Sequence, residues 1–348
     1  MATGSSDAQQ AAGIGDELAD RLAGEEPLSI VTTPAVRSVV AAAAIASAAP
    51  AMHVRVVGPD RPPIEMAPEP VIATASNLGD ADIELSPYTP FADIEPVVAD
   101  AITPAIETAM TTLRLVGTEP TPGIVTTHDD IETALERSIR LDPPADEPPI
   151  TGSIAERTTD ERRRLTSWLA AATVADGRPV GAATALETAI GPTVDADGPA
   201  PTAEGGADII ATVAEADPGR LVAGLLADDW ADIRTAYETA HETVCDAAPD
   251  LPAGDGAEVA VASVNDTSVS AVARRWAANG LNAPYGVVFA GEAPTALALV
   301  APGERAASAV LETVASRFDG TSWGGPFIAG AILPERPEDP ARTITEAL

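Results

Sequence analysis

Apolar positions along the chain fall into short buried-type runs and longer helical stripes. Leu28–Thr33 (LSIVTT) is apolar and β-branched, too short for a helix, and predicts a buried strand. A turn follows at Pro34. Val36–Ala49 is alanine-rich, which predicts a close-packed helix. Strand, short turn and close-packed helix is how an α/β layer begins. His53–Val57 (HVRVV) and Val71–Thr74 (VIAT) predict two further strands. Ahead of them, residues 1–15 are small and polar and read as a disordered lead, followed by a short amphipathic helix over Asp16–Ala23.

The middle of the chain reads as helices. Pro96–Leu115 predicts a buried helix, or a pair interrupted at Pro104. Ile131–Ile139 is amphipathic; Thr127 suits its N-cap, with Asp129 and Asp130 as partners of the helix dipole. Leu141–Pro149 reads as a loop and Thr158–Val174 as a helix. Arg157, Arg162, Arg163 and Arg164 form the one basic run. It either meets a phosphate backbone or acidic partner, or balances Glu156, Asp160 and Glu161 on a solvated face. A small-residue helix is predicted over Gly181–Ile190. Pro192–Gly206 (PTVDADGPAPTAEGG) reads as a flexible acidic loop, then come helices over Ala207–Ala216 and Pro218–Ala227. Asp229–Ala247 predicts a long amphipathic helix with Trp230, Ile233, Tyr237 and Val244 on one stripe.

Pro249–Gly256 (PDLPAGDG) is the clearest boundary. Beyond it the pattern predicts strand Glu258–Val264, helix Ser268–Ala278, strands Tyr285–Ala290 and Ala296–Ala301, and helix Arg305–Phe318. A glycine-rich turn, strand Phe327–Leu333 and a closing helix Pro340–Leu348 follow.

Composition sharpens this picture. The 348 residues suit about two domains. The net charge is −33, and all 20 basic residues are arginine. A lysine-free, alanine-rich, acidic chain resembles a cytoplasmic protein of an extreme halophile, in which molar salt tempers the repulsion between dispersed carboxylates. Net basic surface, the usual mark of a nucleic-acid binder, is lacking, so only a local arginine cluster could serve. The single cysteine, Cys245, excludes an internal disulfide and a multi-cysteine zinc site; it is structural filler or a nucleophile whose activating neighbour is not evident. No apolar window reaches membrane-spanning length. Val39–Met52 follows no basic segment, so it is not a signal peptide. No Walker motif is present, as a lysine-free chain cannot have one.

Two stretches resemble DHH-family, RecJ-like phosphoesterases. Residues 323–330, Trp-Gly-Gly-Pro-Phe-Ile-Ala-Gly, follow the glycine-rich closing motif Gly-Gly-His-Pro-x-Ala-Ala-Gly of the DHH-associated domain, with Trp323 at the first glycine and Gly325 at the histidine. The opening strand and helix follow the family's strand, His-x-Asp-x-Asp-Gly, helix frame. Thr33 falls on the histidine, Ala35 and Arg37 on the two aspartates, and Ser38 on the glycine. Ala73 is the best match for the next aspartate. Thr127-His128-Asp129-Asp130 is the nearest echo of the DHH triplet. Asp195-Ala196-Asp197-Gly198 repeats Asp-x-Asp-Gly outside any strand–helix context.

The resemblance implies an α/β architecture. Its parts are a lead over 1–24, a DHH-type domain with a mainly parallel sheet flanked by helices over 25–228, a long linking helix and linker over 229–255, and a smaller α/β DHH-associated domain over 256–348. It implies a catalytically degenerate protein that keeps this layout without metal, acting as a scaffold for single-stranded DNA or RNA, a GINS-like subunit or another replisome or repair protein. The eukaryotic helicase-activating relative of RecJ is such a scaffold. Arg37, Arg317, Trp323, Gly324, Gly325 and Gly330 are the candidate nucleic-acid or phosphate contacts, Trp323 as a stacking platform or else a hydrophobic plug. The alternative is an active Mn- or Mg-dependent phosphoesterase or 5′→3′ single-strand exonuclease with ligands recruited from Asp80, Asp82, Asp93 and His128. A third reading is an unrelated two-domain α/β protein.

Overall fold

The structure, a computed structural model, describes residues 14–24, 27–49, 52–56, 71–74, 81–85, 90–116, 130–136, 147–153, 156–175, 198–200, 202–247, 251–252, 254–265, 269–279, 281–301, 307–324 and 328–348. It is α/β, with a parallel four-stranded sheet, a second five-stranded sheet, and helices against both.

Helix α1 (residues 14–22) precedes β1 (Leu28–Thr32). Then come α2 (Val36–Ala48), β2 (Met52–Val56), β3 (Val71–Ala73) and β4 (Ile83–Glu84). All pairings in this sheet are parallel and the order is β2-β1-β3-β4. Helix α2 is buried from Ser38 to Ile45 because it is covered on several sides: by β1, α3 (Pro90–Val98), α4 (Pro104–Val116) and the helix Pro218–Ala227. Its four consecutive alanines let those neighbours approach closely. Of the two readings of residues 96–115, one helix or a pair interrupted at Pro104, the structure has the pair, with the break over residues 99–103 ahead of Pro104. Edge strand β4 carries only two residues and gave no sequence signal.

Helices α5 (Ile131–Glu136), α6 (Thr159–Ala175), α7 (Ala203–Ala216), α8 (Pro218–Ala227) and α9 (Trp230–Ala247) follow. Asp130 caps α5, its Oδ1 accepting from the Thr133 N–H and hydroxyl; Thr127 lies outside the described residues. Helix α7 corrects the acidic-loop reading at its end, since Ala203–Gly206 are helical. Thr202 accepts from the Gly205 N–H as N-cap, and a Cβ on Gly206 would sit 3.3 Å from Thr112 of α4. Gly206 thus serves close helix packing rather than a turn. The predicted helix over residues 181–190 lies outside the described residues.

The second sheet takes β5 (Val259–Val264), β6 (Tyr285–Ala290), β7 (Thr295–Val300), β8 (Thr321–Gly324) and β9 (Ile328–Leu333), in the order β5-β6-β7-β9-β8. Only β5–β6 is parallel. Helix α10 (Val269–Asn279) lies on one face and α11 (Ala307–Arg317) on the other; α12 (Pro340–Thr345) closes the chain. Part of the expected glycine-rich turn is therefore a strand: Thr321–Gly324 pair antiparallel with Ala329–Ile332.

One core joins the two sheets. Trp276, Val272 and Ala273 of α10 share it with Ile209 and Val213 of α7 and with Ile233 and Tyr237 of α9. Of the predicted α9 stripe, Ile233, Tyr237 and Val244 are buried and Trp230 is partly so. A second, smaller contact packs Val31 and Val71 of the parallel sheet against Ile332, with Trp323 and Ala81 at its margin.

Candidate functional site

Strand β1 has β2 on one side and β3 on the other. The chain leaves β1 through α2 towards β2, whereas β3 continues to β4 on the far side. The C-terminal ends of β1 and β3 therefore frame a topological switch point, where open α/β sheets form a crevice for ligands. Helix α2 starts just after β1, so its N-terminus lies at this crevice.

The residues there are small and mostly uncharged. Thr33 follows β1, Thr74 follows β3 and Ser38 stands in the first turn of α2; all three are fully buried. Thr33 Oγ1, Thr74 Oγ1 and Ser38 Oγ have no hydrogen-bond partner among the described residues. Thr32 Oγ1, by contrast, donates to the Thr33 carbonyl at 3.1 Å. Ala35 occupies the N-cap of α2 and supplies no side-chain acceptor; the first turn carries no acid. The helix ladder starts with the Val39 N–H donating to the Ala35 carbonyl at 3.0 Å.

Arg37 belongs to the same turn but is committed sideways. Its Nη2 donates to the Leu113 carbonyl at 2.6 Å, near the C-terminus of α4, and its guanidinium lies 5.6 Å from the centre of the Phe91 ring. Arg114 lies over the same ring at 5.9 Å and is held by Glu95 through hydrogen bonds of 3.1 and 2.6 Å. Burial, and then the charge of Arg114, lower the Arg37 pKa below its ordinary value.

DHH-type chemistry would require two divalent cations here, held by carboxylates and imidazoles. Thr33, Ala35, Arg37 and Ala73 do not form such a set, so the residues at the strand ends do not fit the metals. Among the described residues no group of three or more His, Cys, Asp and Glu is placed to hold a metal ion. Of the alternative ligands, Asp82 is taken up locally: its Oδ2 accepts from the Val71 N–H at 2.8 Å, and Oδ1 lies 3.8 Å from Arg21. Asp80, His128 and the side chain of Asp93 lie outside the described residues, as does that of Cys245.

The glycine-rich candidates sit in the β8–β9 hairpin. Trp323 stands opposite Gly330 across the pair, and a Cβ on Gly330 would fall 2.6–2.7 Å from three indole atoms. Gly330 thus makes room for the indole, an aromatic cover for a strand glycine. Gly324 has φ of +112°, and a Cβ there would meet the Ile328 carbonyl at 2.7 Å. Arg317 pairs with Glu346 at 3.3 Å. Gly325 lies outside the described residues. Sequence reading singles out the Thr33–Ser38 turn, takes Ser38 only as a lost glycine and passes over Thr74. The available signal is a hydroxyl at the end of each strand.

No family model matches this chain, and no curated protein matches it. Among solved structures it is similar to RecJ from Thermus thermophilus in complex with Mn²⁺, at 13% identity over 97% of this chain and 54% of that one, with a TM-score of 0.40. It is similar to CDC45 from Entamoeba histolytica, at 7% identity over 97% and 98% of the two chains, TM-score 0.45. It is also similar to the pGpG-specific phosphodiesterase PggH from Vibrio cholerae, at 11% identity over 92% and 98%, TM-score 0.32. The chain spans about half the length of the Thermus RecJ structures. These are likenesses of chain path and no more. Among the described residues no helix is long and apolar enough to cross a membrane.

Proposed function

We propose that this protein is a RecJ-like chain that has lost two-metal hydrolysis and serves as a scaffold in DNA replication or repair. In this reading residues 25–228 are the degenerate DHH-like part, 229–255 the link and 256–348 the DHH-associated-like part. The setting is the cytoplasm of an extremely halophilic archaeon. One observation carries the proposal: Thr33, Ala35, Arg37 and Ala73 stand at the strand ends where two-metal hydrolysis would need carboxylates and imidazoles. The preferred partner is a protein, such as a GINS-like subunit, rather than single-stranded DNA or RNA. A net charge of −33 repels a polyphosphate, and Arg37 and Arg317 already bind groups of this chain.

The test is an assay in molar KCl with Mn²⁺ and a labelled single-stranded oligonucleotide, wild type beside Arg37→Ala. Neither protein is expected to cleave, and calorimetry is expected to find no stoichiometric Mn²⁺. Manganese-dependent cleavage that co-purifies with the protein to homogeneity would sink the proposal and point to Asp80, Asp93 and His128. Salt-tolerant oligonucleotide binding weakened by Arg37→Ala would keep the scaffold and change its partner to nucleic acid.

A further inference from the structure

We propose that the open edge of strand β2 takes an extended, acidic segment of a partner protein as an added strand of the parallel sheet. This rests on the scaffold reading only for the choice of a protein as partner.

The strand order β2-β1-β3-β4 leaves one side of β2 unpaired, because β2 bonds to β1 alone. An edge strand presents a row of main-chain N–H and C=O groups that only another extended segment can match. The other sheet edges suit this less. Strand β4 has two residues, β8 has four, and β5 has α12 against it. Strand β2 has five residues, and among the described residues it packs chiefly on β1 and α2.

Side-chain alternation then sets the chemistry of the partner. His53 and Arg55 share one face and are exposed. Val54 and Val56 share the other and are half-buried, Val54 against the core that α2 serves. Arg55 also differs from the arginines that the chain has already committed. Arg114, Arg220 and Arg274 are held by Glu95, Asp232 and Glu215, whereas Arg55 has no hydrogen bond or ion pair among the described residues. A strand laid beside β2 places its alternate side chains next to Arg55 and His53 on one face and next to Val54 and Val56 on the other. A segment that alternates acidic and apolar residues satisfies both. Its carboxylates meet the Arg55 guanidinium and the His53 N–H, and its apolar side chains extend the layer under α2. A second copy fits poorly. Antiparallel pairing of β2 with itself about Val54 would set Arg55 against His53 with no acid between them, and two chains of net charge −33 repel. A polynucleotide carries no amide backbone for the edge to pair with.

The experiment uses the full chain in molar KCl and a fluorescent synthetic peptide of about seven residues, alternating valine and glutamate. One control has the same composition in two blocks; a second alternates valine and arginine. The alternating acidic peptide is expected to bind saturably and to protect main-chain amides of β2 from hydrogen exchange. Both controls are expected to bind about tenfold more weakly or worse. Arg55→Glu, at an exposed position where folding is unaffected, is expected to weaken the acidic peptide about fivefold or more and to favour the arginine peptide instead. That reversal is a readout that a purely structural role of Arg55 would not give. Absence of saturable binding, binding that leaves the β2 amides unprotected, or binding indifferent to Arg55→Glu overturns the inference. Protection of β2 that rises with protein concentration and needs no peptide overturns it in favour of a second copy, and protection by a single-stranded oligonucleotide in favour of nucleic acid. The scaffold reading is judged separately, by cleavage with Mn²⁺, so failure of the peptide to bind leaves it standing.

Discussion

Glu215→Leu is expected to destabilise the protein by about 3–5 kcal/mol, the loss that follows when one member of a buried ion pair is removed. Glu215 lies in the last turn of α7, where a carboxylate opposes the helix dipole. It tolerates that position because Arg274 of α10 holds it by two hydrogen bonds, Nη1 to Oε1 at 3.2 Å and Nη2 to Oε2 at 2.9 Å. The side chains are only 11% and 16% exposed, so the pair is desolvated and molar salt screens it little. It ties the helices of the parallel sheet to the helix of the second sheet. Arg274→Met is expected to do similar damage. The double replacement is expected to recover most of the loss, because no uncompensated charge is then left inside. Urea midpoints measured at two KCl concentrations check this. A single-variant loss below about 1 kcal/mol, the range of exposed pairs, would mean that the pair is solvated and does not hold the two layers together.

Gly330→Ala is expected to lose about 1–3 kcal/mol or more through overpacking. The added Cβ would lie within 2.7 Å of the Trp323 indole. The ring has little freedom to retreat, since it packs beside Val31, Val71 and Ile332. Trp323→Leu in the same chain is expected to relieve the clash, so that the double variant is more stable than Gly330→Ala alone, a coupling read from a double-mutant cycle. Simple additivity would mean that the indole is free to swing away from the strand. It could then serve as the stacking platform considered from the sequence, and Trp323→Ala would reduce oligonucleotide binding without loss of stability.

Local pattern is enough to place most elements. Alternation and run length locate β1, β5, β6, β7 and β9, and alanine content with an uninterrupted apolar run locates α2. Where the pattern misleads, glycine is the reason. Gly205-Gly206 and Trp323-Gly324 read as turns because glycine usually breaks regular structure. In α7 glycine instead admits Thr112, and in β9 Gly330 admits an indole. The first demand comes from a neighbour distant in sequence, which no local window contains; the second comes from the facing strand of a hairpin and appears only once the two strands pair.

The candidate site divides in the same way. Chemical identity is legible along the chain: Thr33, Ala35 and Arg37 stand where a metal site would need carboxylates and imidazoles, and the excess of acid over a lysine-free set of arginines is a property of composition. Position is not. The strand order that opens a crevice between β1 and β3 follows from hydrogen bonding between segments some forty residues apart. The burial of Thr33, Ser38 and Thr74, whose hydroxyls have no partner among the described residues, follows from helices and strands closing over them. Side-chain chemistry is carried by each residue alone, whereas solvent exclusion and convergence are properties of several segments at once.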